Sequence, residues 1–105
     1  MDYSQQGVLA TQLRVQEVLG RLLGEHGIVL DSGSPLWFDG RLDLPKPGEP
    51  WKMTLSCHGA VTSIEFRPTE LDAFLVGQSN EVVSRRLRRA VDALHRPKPQ
   101  ERGLA

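Results

Sequence analysis

The segment WKMTLSCHGAVTSIEFR, residues 51–67, decides the fold, because apolar and polar side chains alternate in both of its halves. Alternation with a period of two is typical of a strand that is buried on one face. In the first half, the predicted buried face carries Trp51, Met53, Leu55 and Cys57. In the second half, it carries Thr62, Ile64 and Phe66. Because Gly59-Ala60 between them allows only a tight turn, the sequence predicts two antiparallel strands, over residues 51–58 and 61–67.

A further alternating segment, residues 36–44, precedes this hairpin and predicts another strand of the same sheet. Its predicted inward face carries Leu36, Phe38, Leu42 and Leu44. Its predicted outward face carries Trp37, Asp39, Arg41 and Asp43. Gly40 lies mid-strand, where a bulge is expected, and the proline-rich residues 45–50 predict an exposed loop. The apolar run Ile28-Val29-Leu30 predicts either a first strand or merely the end of the preceding connection.

A long amphipathic helix is predicted over residues 5–26, with Ser4 as its N-cap and Gly27 directly after its end. Its apolar face carries Val8, Val15, Val18, Leu19 and Leu22. A second, weaker stripe carries Leu9, Leu13, Gln16, Gly20 and Leu23. A helix that is apolar on two sides packs against two neighbours, so the second stripe predicts contact with another helix or, as an alternative, with a second subunit.

Two more helices are predicted after Pro68. Thr69, with Asp72 three residues later, predicts the N-cap of a short helix, and Gly77 predicts its end. Ser79 is the expected cap of the last helix, which continues to residue 96. The apolar stripe of that helix carries Val83, Leu87, Ala90, Val91 and Leu94.

These elements predict one α+β domain over residues 1–96, followed by a disordered tail over residues 97–105. The expected architecture is a two-layer domain, in which the N-terminal and C-terminal helices cover one face of a three- or four-stranded antiparallel sheet. The predicted order is α-(β)-β-β-β-α-α. Antiparallel pairing is expected because the connections between the strands are too short for crossover helices.

Composition and charge narrow the class of protein. The single cysteine cannot form an internal disulfide, and no signal-peptide or membrane-spanning pattern is present, so we expect a cytoplasmic protein without membrane contact. The net charge is zero, but residues 1–80 hold ten acidic and six basic side chains, whereas residues 81–105 hold three acidic and seven basic ones. Such asymmetry is typical of a contact with an acidic partner or nucleic acid, and also of a solvated helix face.

The stretch 73–87 partly resembles the helix-turn-helix pattern of DNA-binding repressors. Ala73 occupies the small position of the first helix, Gly77 the turn and Val83 a core position of the second helix. Gln78 and Arg86 depart from the pattern, because both stand where buried residues are usual. The resemblance implies a nucleic-acid-binding regulator that uses segment 69–96 and contacts phosphates and base edges through arginines. Those arginines are Arg85, Arg86, Arg88 and Arg89.

The outward face of the predicted sheet is the second candidate surface. Trp37 is the anomaly on this face, because an exposed tryptophan often anchors a protein partner. The alternative is that the proline-rich loop folds over Trp37 and that the other residues form an ordinary solvated face. The predicted partner-binding residues are Trp37, Asp39, Arg41, Lys52 and His58.

Catalytic and metal-binding patterns are absent from the sequence. Cys57 and His58 are adjacent on a strand and therefore point to opposite faces, and Asp39 and Asp43 lie about 13 Å apart, too far for a carboxylate pair. The three histidines show no ligand spacing, and no nucleotide-binding or hydrolase motif occurs. We therefore expect a non-enzymatic interaction module, regulatory, adaptor or chaperone-like, without metal or cofactor, that binds a protein partner. Homodimer formation and nucleic-acid binding stay open as alternatives.

Overall fold

The computed structural model describes residues 2–77 and 81–95 and contains, within these ranges, three α-helices and one three-stranded antiparallel sheet. In chain order the elements are α1 (Gln5–Glu25), β1 (Leu36–Trp37), a short 3-10 turn (Phe38–Gly40), β2 (Trp51–Cys57), β3 (Ala60–Phe66), α2 (Pro68–Leu75) and α3 (Glu81–His95). The predicted α+β class is confirmed. None of these helices combines the length and the hydropathy that are needed to cross a bilayer.

The predicted hairpin forms the centre of the sheet. β2 and β3 pair without a break, from Trp51 opposite Phe66 to Cys57 opposite Ala60. His58 and Gly59 make the connection, both in the left-handed backbone region, with φ of 50° and 83°. Two such residues form the type I′ turn that suits the twist of a hairpin. Ala60 is therefore the first residue of β3, whereas the sequence predicted it to belong to the turn.

One face of the hairpin belongs to the hydrophobic core, as predicted. The buried strand residues are Trp51, Met53, Leu55, Cys57, Ile64 and Phe66. They form one cluster with buried residues of all three helices. Buried positions in β2 alternate with half-buried ones, and in β3 the outward positions are exposed, as the strand period of two predicts.

The predicted strand over residues 36–44 is wrong: the observed strand is shorter, and its side chains point to the opposite faces of the sheet. Only Leu36 and Trp37 pair with β2, opposite Thr54 and Met53 respectively. Residues directly opposite each other share a face of the sheet. Trp37 therefore lies on the buried face with Met53, and Leu36 on the exposed face.

The alternation fails because Phe38, Asp39 and Gly40 all adopt left-handed backbone angles, with φ of 53°, 55° and 80°. This turn directs the chain away from the sheet, so Leu42 is 97% exposed instead of buried. Phe38 stays in the core because its ring packs against the Trp51 ring, with centroids 5.4 Å apart. Burial of an aromatic ring offsets the cost of a left-handed phenylalanine.

The run Ile28–Leu30 does not form a strand. Leu30 is buried, and the next residue, Asp31, donates its backbone N–H to the carbonyl oxygen of Ser56 at 2.9 Å. The segment thus contacts the edge of β2 at one point.

α1 has nearly the predicted bounds, but Val18 of the predicted apolar face is only partly buried, and Thr11, which was not predicted, is buried. The Ser4 hydroxyl accepts the backbone N–H of Gly7, and Gly27 follows the helix end with a φ of 65°. The buried residues of α1 are Val8, Thr11, Val15, Leu19 and Leu22. In the second stripe, Leu23 packs against the core, whereas Leu9 and Leu13 are more than half exposed.

α2 begins earlier than predicted. Pro68 is its first residue, and the Glu70 carboxylate accepts the backbone N–H of Arg67 at 2.8 Å. Thr69 is therefore not the N-cap, because proline is favoured at the first helical position and Glu70 reaches back to the residue before it. Gly77 follows the end of α2, as predicted.

α3 buries its predicted apolar stripe, which consists of Val83, Leu87, Ala90, Val91 and Leu94. The predicted capping role of Ser79 and the predicted disordered tail, residues 97–105, lie outside the described residues.

Candidate functional site

The predicted partner-binding residues do not form one surface. Asp39 and Lys52 come together, because the left-handed turn after Trp37 brings the Asp39 carboxylate to within 3.1 Å of the Lys52 ammonium group. Both groups are solvated, and such a pair contributes little to stability. Of the five named residues, all within the described part of the chain, these two form an ion pair with each other.

Trp37 interacts mainly within the fold. Its indole N–H donates to Oε1 of Gln16 on α1 at 2.8 Å, and its ring meets the Trp51 ring edge-on, with centroids 6.2 Å apart. The side chain is half-buried. Gln16, a residue of the weaker stripe of α1, is thus the polar partner of Trp37, which the sequence predicted to lie on the outward face of the sheet.

Arg41 closes the loop that follows β1. Its guanidinium forms an ion pair with the Glu49 carboxylate at 2.7 Å and lies over the Phe38 ring. The backbone N–H of Lys46 also donates to Glu49. These two hydrogen bonds, the one from Lys46 first, lower the pKa of Glu49 below its ordinary range.

His58 lies far from the other predicted residues. It occupies the hairpin turn, where its backbone N–H donates to the Asp31 carboxylate at 3.0 Å. It lies six positions after Lys52 in the chain, a distance of about 20 Å along a strand. The imidazole is exposed, but it has no contact with the Asp39–Lys52 pair.

The arginines of α3 fall into two groups. Arg86 donates to the Glu70 carboxylate at 2.6 Å and to the Glu65 carbonyl oxygen at 2.7 Å, so its charge is used inside the fold. Arg85 forms a solvated ion pair with Glu81 at 3.5 Å.

Arg88 and Arg89 differ from these two, because both are exposed and neither forms an ion pair with another described residue. Of the four arginines proposed for nucleic acid, these two therefore present charge that the described fold does not neutralise.

A shallow groove runs between β3 and the arginine face of α3. Its lining residues are Thr62, Ser63, Ile64, Glu65, Arg86, Arg89 and Ala90. The volume is about 250 Å³, below the range of roughly 300–1,000 Å³ that is typical of small-molecule pockets. The groove thus suits one or two side chains of a larger partner better than a separate small molecule.

Ser63 and Glu65 were not among the predicted site residues. The order of the strands could have indicated them, because the last strand of a meander lies at an edge of its sheet and the helix that follows can pack beside it. β3 lies at one edge of the described sheet, in the order β1-β2-β3.

A pair of histidines lies at the other end of α3. The rings of His26 and His95 have centroids 5.1 Å apart, and His26 Nε2 lies 4.0 Å from the Asp92 carboxylate. In residues 2–77 and 81–95, no group of three or more histidine, cysteine or acidic side chains is arranged to hold a metal ion.

Comparison of the chain with protein-family models, with curated proteins and with solved structures finds no match.

Proposed function

We propose that the protein is a small non-enzymatic interaction module that binds an acidic segment of a partner protein. The binding surface is the outward face of α3 together with the groove beside β3. One observation carries the proposal: Arg88 and Arg89 expose guanidinium groups that have no carboxylate partner among the described residues, and Arg89 lines the groove. Arginine forms paired hydrogen bonds with carboxylates, so an acidic side chain in this groove would be both neutralised and oriented.

The small number of free charges favours a protein partner over nucleic acid. A protein that makes about 6–10 phosphate contacts binds DNA with an affinity that falls steeply with salt concentration. Here Arg85 and Arg86 already contact Glu81 and Glu70, which leaves, among the residues that the structure describes, Arg88 and Arg89 on this face of α3. Two contacts would give a weak, weakly salt-dependent interaction with a duplex, with a slope of about −2 in log affinity against log salt.

Nucleic-acid binding through segment 69–96 is the second candidate. The observation in its favour is that Arg88 and Arg89 project from a helix that follows α2 and Gly77, as in a helix-turn-helix. In this arrangement Arg85 and Arg86 would have to exchange their carboxylate partners for phosphates.

Regulatory, adaptor and chaperone-like roles are all compatible with the first candidate, the binding of an acidic protein segment.

A binding comparison tests the proposal. Fluorescence anisotropy measures the affinity of the full chain for a labelled glutamate-rich peptide, for mixed duplex DNA and for RNA, from about 50 to 200 mM salt. We expect the peptide to bind and the charge-reversed double variant Arg88→Glu/Arg89→Glu to lose that binding. Arg21→Glu is the matched control, because Arg21 is an exposed helical arginine on α1.

Three outcomes decide between the candidates. Peptide binding that is lost only in the double variant supports the protein-binding function. Binding to duplex DNA with a slope much steeper than −2 would replace it with the second candidate. Equal binding by the Arg21→Glu variant and the Arg88→Glu/Arg89→Glu variant would show that α3 takes part in neither function.

Compartment and oligomeric state complete the proposal. We place the protein in the cytoplasm, since its one cysteine is a buried free thiol, as is usual in a reducing environment. We regard the monomer as the binding form, with a homodimer as the alternative that sedimentation would detect.

A further inference from the structure

β3 has an unpaired edge. It pairs with β2 on one side, and on the other side no strand of the described residues pairs with it. A strand edge that is free in this way can accept another chain through backbone hydrogen bonds.

The hairpin geometry identifies the free backbone groups. A two-residue turn makes Cys57 and Ala60 a hydrogen-bonded pair, and the pairs then alternate along an antiparallel ladder. The N–H and C=O groups of Val61, Ser63 and Glu65 therefore point away from β2. Two observed bonds agree with this alternation: Glu65 directs its carbonyl oxygen to Arg86, and Ser56 directs its own to Asp31 on the opposite edge.

β3 lacks three of the devices that usually protect an edge, namely proline, lysine and a bulge. Its sequence, AVTSIEF, contains neither proline nor lysine, and its pairing with β2 has no bulge. Val61 is 61% exposed, and Ser63 and Glu65 are exposed as well. Arg86 occupies one carbonyl group at one end, which leaves the groups of Val61 and Ser63 without a described backbone partner.

We infer that an extended acidic segment of the partner adds to β3 as a fourth, antiparallel strand. This inference rests on the proposed function and names the form in which the acidic segment binds. Every second side chain of an added strand lies on the face of the sheet that α3 covers. Acidic side chains at those positions would enter the groove and meet Arg89, while the intervening residues exchange backbone hydrogen bonds with Val61 and Ser63.

The charges argue against a second copy of the chain as the added strand. When two copies of β3 pair antiparallel, both copies carry α3 on the same face of the joined sheet. The guanidinium groups of Arg89 from both copies would then lie on the same side of the junction, and like charges in such positions are unfavourable. An acidic segment meets opposite charge instead.

Selective N-methylation of a probe peptide tests whether the peptide binds as a strand. The probe is a short blocked peptide in which valine and glutamate alternate. In antiparallel pairing, the residues whose side chains face α3 direct their N–H groups away from β3, and the residues between them direct theirs toward β3. If the glutamates face Arg89, methylation of the valine nitrogens removes bonds to β3, whereas methylation of the glutamate nitrogens does not.

We expect N-methylation of the valines to weaken binding at least about tenfold, as the loss of the two hydrogen bonds to the carbonyl groups of Val61 and Ser63 implies. N-methylation of the glutamates should have little effect. In the full ¹⁵N-labelled chain, the unmodified peptide should slow hydrogen exchange at the amides of Val61 and Ser63, which are exposed at the free edge. Replacement of the peptide glutamates by lysine should abolish binding.

Failure of the inference differs from failure of the proposed function. If both methylated peptides bind as tightly as the unmodified one, and Arg89→Glu still abolishes binding, the acidic partner stands and strand addition is overturned. If the lysine peptide binds as well as the glutamate peptide, or if no peptide binds at millimolar concentration, both the proposed function and the inference are overturned. Self-association that protects Val61 and Ser63 without peptide would show that a second copy takes this place.

Discussion

Arg86 and Glu70 form an ion pair with 2.6 Å between Nη1 and Oε1, and this contact joins the middle of α3 to the first turn of α2. The same nitrogen donates to the carbonyl oxygen of Glu65 at the end of β3. Glu70 also accepts the N–H of Arg67 before α2. One arginine thus joins three consecutive elements, at the position where a helix-turn-helix would have a buried residue.

Arg86→Ala should therefore destabilise the fold, whereas replacement of the neighbouring Arg85 should not. We expect a loss of about 1–3 kcal/mol in the free energy of unfolding, because two hydrogen bonds of a charged group are removed and Glu70 loses its cation. Arg85→Ala should change the stability by less than about 0.5 kcal/mol, because its ion pair is solvated. Urea denaturation of the three proteins measures the difference, and equal effects of both variants would contradict the joining role of Arg86.

Gln16→Ala should cost about 1 kcal/mol, because the indole N–H of Trp37 would lose its acceptor in a half-buried site. Gln12→Ala is the matched control on the same helix, since Gln12 forms no side-chain hydrogen bond with the described residues. Chemical denaturation gives the stabilities, and the change in tryptophan fluorescence reports on the indole environment. If both variants were equally stable, the bond to Trp37 would contribute nothing.

Two glycine-to-alanine changes should have opposite effects. Gly59 adopts a φ of 83° in the hairpin turn, where alanine is strained, so Gly59→Ala should cost about 1–2 kcal/mol. Gly20 lies on the exposed side of α1, with open space where a Cβ would stand. Gly20→Ala should therefore stabilise the protein by about 0.5–1 kcal/mol. Thermal unfolding measures both changes, and a destabilised Gly20→Ala variant would show that this side of α1 is covered.

Acid should weaken the contacts that close the loop after β1. The pKa of Glu49 is lowered in the folded protein, first by the N–H of Lys46 and then by Arg41. A lowered folded pKa contributes stability above the ordinary glutamate pKa of about 4.3, and that contribution is lost as pH falls through the folded pKa. NMR titration of the Glu49 carboxyl group should place its midpoint below that range.

Arg41→Ala separates the two causes of this shift. Because the Lys46 N–H still donates in this variant, the pKa of Glu49 should rise only part of the way to its ordinary value. A complete return would show that the guanidinium causes the whole shift. Glu49→Gln should remove the corresponding part of the pH dependence of unfolding.

Local patterns were sufficient to predict the helices and the hairpin. Alternation in residues 51–67, the 3.6-residue stripe of α3 and the glycines after α1 and α2 each reflect an interaction between residues close in the chain. The buried sets of α1 and of the β2–β3 hairpin follow from these periods, since the core accepts one face of each element.

The position of Trp37, the use of Arg86 and the free edge of β3 required the tertiary structure. Three left-handed residues after Trp37 end the alternation, and the indole is half-buried because Gln16 and Trp51 contact it from other elements. In the sequence, Arg86 does not differ from the other arginines of α3; only the fold brings it into contact with Glu70 and Glu65. Each of these features depends on which distant residues come into contact, and short-range periodicity carries no information about that.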